Sequence, residues 1–105
     1  MNLPKLIHVM GTDYTVEEIE NLSDEDGRMF YGKIQHTVPR IQIENTLADS
    51  VKVQSLLHEA FHGLFHHGGH IDLEHEERIA WFLGCQLPSF VRANKALFQM
   101  ILNEG

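Results

Sequence analysis

Cysteine occurs once, as Cys85, in a chain of 105 residues. A lone thiol excludes an internal disulfide framework and any zinc site built on several thiolates. Basic residues are also scarce: eight Lys and Arg stand against fifteen Asp and Glu, a formal net charge of −7. A nucleic-acid surface needs clustered Lys and Arg, so no nucleic-acid partner is expected. No stretch approaches the run of about 18 apolar residues that a membrane-spanning helix requires, so no membrane partner is expected either. The opening MNLPKLIHVMG lacks the long apolar segment of a secretory signal, and the expectation is an unsecreted, cytoplasmic protein. Repeats and low-complexity tracts are missing, and this length supports one core, so residues 1–105 are read as a single domain.

What the chain does have is histidine. Five of its eight histidines fall in LLHEAFHGLFHHGGH, residues 56–70. The segment also carries helical patterning, with Val53, Leu56, Leu57, Ala60, Phe61, Leu64 and Phe65 at i, i+3, i+4, i+7 spacing. On a helical wheel the apolar stripe centres near Leu57 and Leu64, with His58 and His62 on roughly the opposite side. Thr46 or Asp49 is expected to cap the start of this helix, and Gly68-Gly69 to stop it.

Upstream, KLIHVM ends at Gly11, and YTVEEIE from Tyr14 can pair with it. SDEDG, residues 23–27, has turn chemistry. MFYGKIQH (29–36) and RIQIE (40–44) read as a hairpin, with Ile41 and Ile43 alternating against Gln42 and Glu44. Downstream, a second helix is expected from Leu73 to Leu87, with Ala80, Leu83, Gly84 and Leu87 on one face. A third should begin at Pro88, which suits a first helical turn. Strands first and three helices after define an α+β fold with a small antiparallel sheet of about three or four strands.

His58-Glu59-Ala60-Phe61-His62 is an H-E-x-x-H motif. On a helix, residues i and i+4 share a face, so His58 and His62 can offer ring nitrogens to one zinc ion. Glu59 can reach a water on that ion as general base. A catalytic zinc needs a third protein ligand. The continuation that would supply it from the same segment requires Gly at 65 and His at 68, where the chain has Phe65 and Gly68. A carboxylate from the next helix remains, and DLEHEERIAWF offers Asp72, Glu74, Glu76 and Glu77. The wheel slightly favours Glu76.

TLADSVKVQSLLHEAFHGLF followed by EERIAWFLGCQLP resembles the small ImmA/IrrE-type metallopeptidases of the gluzincin clan, and their short bacteriophage-encoded relatives. Tyr31-Gly32-Lys33-Ile34 and Arg40-Ile41-Gln42-Ile43 fill the places of that family's hairpin. The resemblance covers roughly residues 29–103. It implies a minimal zincin-like fold, bound Zn(2+), and a zinc metalloendopeptidase acting on a peptide or protein substrate. Aligned on Pro88, it also puts the third ligand at Glu77 rather than Glu76. The implied set is His58, His62 and Glu77 as metal ligands and Glu59 as base. A second reading, from a different class, is a catalytically silent zinc-binding module that acts through protein–protein contact.

Of the remaining histidines, His66, His67, His70 and His75 read most simply as polar residues around a helix end, with a second metal or substrate orientation as the alternative. His36 is placed near a cleft mouth. Cys85, Trp81 and Phe82 read as packing residues.

Overall fold

The computed structural model describes residues 2–69 and 72–104. Four strands come first: β1 (Leu6–Val9), β2 (Thr12–Ile19), β3 (Gly32–Gln35) and β4 (Arg40–Glu44). Three helices follow: α1 (Asp49–Gly68), α2 (Leu73–Ala93) and α3 (Lys95–Glu104). The architecture is α+β.

β1 and β2 form an antiparallel hairpin closed by the pair Val9 and Thr12. Its two turn residues, Met10 and Gly11, both have positive φ (47° and 86°). That is the primed-turn geometry whose twist matches the flanking strands, and glycine supplies it without strain. β3 and β4 form the second hairpin, with Ile34 opposite Ile41.

The sheet order is β1-β2-β4-β3, and β2 pairs with β4 in parallel. The sheet is therefore mixed, where two adjacent hairpins suggested an antiparallel one. Residues 20–31 carry the chain across to the far edge before β3 begins, so β4 returns to the centre running alongside β2. Alternation within a strand shows which face is buried; it does not show which strand lies beside it. Glu44, itself buried, pins the crossing segment: Oε1 accepts from the Leu22 amide at 2.7 Å, and Oε2 from the Thr46 hydroxyl at 2.8 Å.

The core lies between the sheet and α1, formed by Leu3, Val9, Tyr14, Ile41, Ile43 and Leu56. α1 packs against β1, β3 and β4, α2 packs on α1, and α3 on α2. The wheel is overturned here. The buried residues of α1 are Lys52, Ser55, Leu56, Glu59, His62 and Gly63, whereas Leu64 is exposed. The helix turns a largely polar face to the sheet. Lys52 is tolerated there because its Nζ meets Glu18 Oε1 at 2.6 Å, an ion pair that ties α1 to the end of β2.

Two further expectations change. Ala48 takes the N-cap position of α1 with no side-chain hydrogen bond, because Thr46 is already committed to Glu44. α2 also runs through Pro88 to Ala93 rather than stopping at Leu87. One interior proline removes one donor, the bond to the Gly84 carbonyl, and the turns before it are held on α1 through buried Ala80 and Gly84. The break falls instead at Asn94, whose side-chain Nδ2 caps the Phe90 carbonyl.

Candidate metal centre

α1 and α2 meet closely at one point. A Cβ at Gly84 would lie 3.0 Å from the Gln54 carbonyl oxygen and 3.3 Å from His58 Cβ. The missing side chain lets α2 lie against α1 beside His58, and so brings the start of α2 over the next turn of α1. Asp72 caps that start, its Oδ1 accepting from the His75 amide at 3.0 Å. The His75 ring folds back to donate from Nδ1 to Asp72 Oδ2. His75 thus serves the helix end. His70 lies outside the described residues.

The H-E-x-x-H side chains and Glu77 converge. His58 Nε2 and His62 Nε2 are 3.2 Å apart. Glu77 bridges them, with Oε1 2.8 Å from His58 Nε2 and Oε2 2.9 Å from His62 Nε2. Glu76 takes a different place: its Oε1 accepts from His62 Nδ1 at 2.7 Å, on the other edge of the same ring. The two glutamates that compete on the wheel therefore sit on opposite sides of His62.

Glu59 faces the sheet. Its Oε2 is 3.9 Å from His58 Nε2, and it is buried next to the edge strand β3. Room for it comes from Gly32, where a Cβ would stand 3.1 Å from Glu59 Cγ and 3.4 Å from Oε2. Burial raises the Glu59 pKa to about 7, against the lowering effect of His62. Burial also holds His58 below the ordinary imidazole value, although the neighbouring Glu77 carboxylate favours its charged form.

A cavity of about 210 Å³ opens in front of these groups. His58, Glu59 and Glu77 contribute to its wall, along with Tyr31, Trp81 and Cys85. Trp81 is 60% exposed and edges onto the His58 ring, centroids 6.0 Å apart. Trp81, expected to be packing, is therefore a wall of the cleft, and Cys85 faces the cleft as well. Phe82, also expected to be packing, is exposed. Sequence reading missed Trp81 and Tyr31. Trp81 lies four residues beyond Glu77, one helical turn along the same face, and that spacing was the available signal.

A second histidine group lies one turn further along α1. His36, His66 and His67 gather there with Tyr14, away from the cavity. No protein-family model matches the chain, and no curated protein or solved structure shows significant similarity to it. Among the described residues, no helix is long and apolar enough to cross a membrane.

Proposed function

We propose that the chain is a zinc-dependent metallopeptidase, with His58, His62 and Glu77 as ligands and Glu59 as general base. One observation carries the reading: two imidazole nitrogens and a carboxylate converge beside a buried carboxylate at the wall of an open cavity. The donor spacing fits. Ligands about 2.1 Å from a tetrahedral zinc lie roughly 3.4 Å from one another; here the two Nε2 atoms are 3.2 Å apart, and each has a Glu77 oxygen at 2.8 or 2.9 Å. Two imidazoles with one carboxylate suit zinc better than calcium or magnesium, which take oxygen ligands. Glu76 supplies the outer hydrogen bond that fixes the tautomer of His62 and leaves Nε2 as the ligand atom.

Zinc held there would supply Lewis acidity, acidifying a water and polarising the scissile carbonyl. The side chains do the rest. Glu59 Oε2 accepts the proton of the attacking water and passes it to the leaving amine. A carboxylate desolvated by burial is a stronger base than one in water, which suits it to that task near neutral pH. The edge strand β3 presents free backbone groups beside Glu59, where an extended peptide can add as a further strand. Trp81 and Tyr31 flank the cleft and supply apolar contact area for substrate side chains. A cytoplasmic setting is part of this proposal, since the single thiol needs no oxidising compartment.

The test is digestion of a diverse peptide library by the purified chain, read by mass spectrometry. Cleavage should appear with zinc, vanish with chelator and return when zinc is restored. Stoichiometric zinc with no cleavage of any peptide would support the silent binding module instead.

A further inference from the structure

His58, His62 and His66 fall at i, i+4 and i+8, so the histidine edge of α1 continues one turn past the site described above. There His66 and His67 meet His36, the first residue after β3. One ring nitrogen from each of the three lies within 4.8 Å of the other two. The three come from two elements far apart in sequence.

Tyr14 organises the group from below. It is wholly buried in the middle of β2, and its hydroxyl lies 2.8 Å from His36 Nδ1 and 2.7 Å from His67 Nε2. A phenol has one proton, so it donates to one ring and accepts from the other. Those two rings are thereby oriented and given defined tautomers. A metal-ligating imidazole donates its other N–H to an outer partner of this kind, so metal binding requires the Tyr14 oxygen to accept from both rings. His66 lies flat against His36, with centroids 3.8 Å apart and planes 1° from parallel.

We propose that His36, His66 and His67 form a second binding site for a divalent ion of the zinc class, independent of the H-E-x-x-H site. Three imidazoles and no carboxylate favour borderline ions over magnesium or calcium. Parallel rings cannot aim two lone pairs at one ion, so binding turns the exposed His66 ring out of the stack. The site is structural: none of the three histidines lines the cavity. It clips the last turn of α1 to the strand layer through Tyr14 and His36, a staple of the kind small domains use where the core alone is marginal.

The experiment is zinc titration of metal-free protein, with bound metal counted by elemental analysis after desalting. Wild type should hold two zinc ions per chain. A His66→Gln/His67→Gln variant should hold one, as should a His58→Gln/His62→Gln variant. His66 and His67 are both exposed, so the first variant should keep its fold, checked by circular dichroism. Equal zinc content in wild type and His66→Gln/His67→Gln would overturn the second site, whatever the peptidase site does. If wild type held a single ion that was lost with His66 and His67 but kept without His58 and His62, the second site would stand and the peptidase reading would fall.

Discussion

Glu76 hydrogen-bonds to His62 Nδ1 at 2.7 Å, on the ring edge facing away from Glu77. The relationship separates two adjacent carboxylates by task. On the proposed function, Glu77 is a metal ligand and Glu76 steadies one. Replacing them should therefore have graded effects. Glu77→Ala should abolish measurable zinc binding at the first site, whereas Glu76→Gln should weaken it by about 10- to 100-fold. Competition against a chromophoric chelator, done in the His66→Gln/His67→Gln background, distinguishes the two; equal losses would remove the distinction.

Gly32 makes room for Glu59 at the edge strand. In Gly32→Ala the added methyl would stand 3.1 Å from both Glu59 Cγ and Ile43 Cδ1, so these side chains must give by a few tenths of an ångström. Peptide cleavage should fall, by less than the roughly 10²-fold that a full ångström of misplacement costs. Zinc affinity should not change, since neither ligand histidine is touched. A kcat loss with full zinc occupancy is the expected result.

Glu59 also makes a prediction about stability without metal. Its pKa is raised to about 7 by burial, so the folded state resists ionisation that the unfolded chain accepts from about pH 4.3 upward. Its contribution is most favourable below that value and is progressively lost as pH rises through 7. Metal-free Glu59→Gln should accordingly be more stable than wild type at about pH 8, by up to roughly 3 kcal/mol. The two should converge below about pH 4. Urea unfolding at both pH values measures the gap; a constant difference would mean that the carboxylate is not held in a desolvated site.

Glu44 has the opposite sign. The Leu22 amide and the Thr46 hydroxyl hold its carboxyl below the usual carboxylate range. Its contribution is present above the ordinary glutamate value of about 4.3 and fades as pH falls through the lower folded value. Glu44→Gln should be less stable than wild type at neutral pH, with the deficit shrinking in acid. Denaturation midpoints against pH test this.

The close approach at Gly84 sets the seat of α2. Gly84→Ala places a methyl 3.0 Å from a backbone carbonyl, and backbone yields less readily than a side chain. A loss of about 1–3 kcal/mol in stability is expected, with weaker zinc binding because Glu77 rides on the displaced helix. Normal stability together with normal zinc affinity would show that the helices have slack at this point.

The fold was largely legible in local pattern. The apolar run ending at Gly11 and the alternation around Ile41 and Ile43 located both hairpins, and i, i+3, i+4, i+7 spacing located α1. Long-range features were not legible. Nothing in RIQIE says that β4 inserts beside β2, because that choice depends on the path of residues 20–31. The wheel failed on α1 for a physical reason: it assumes that buried means apolar, and this helix buries Glu59, His62 and Lys52. The same assumption drew attention to Glu76. Spacing within H-E-x-x-H did bring His58 and His62 side by side, since i and i+4 adjacency is a property of any helix. The His36, His66 and His67 group was hidden because its two halves are thirty residues apart in the chain.

Glu59 separates the proposed enzyme from a catalytically silent zinc-binding module. The direct test is peptide cleavage by Glu59→Gln with zinc content measured on the same sample. Full zinc occupancy is expected, with cleavage reduced to the background of the chelated wild type. Cleavage at the wild-type rate with zinc bound would contradict the role of Glu59 as general base.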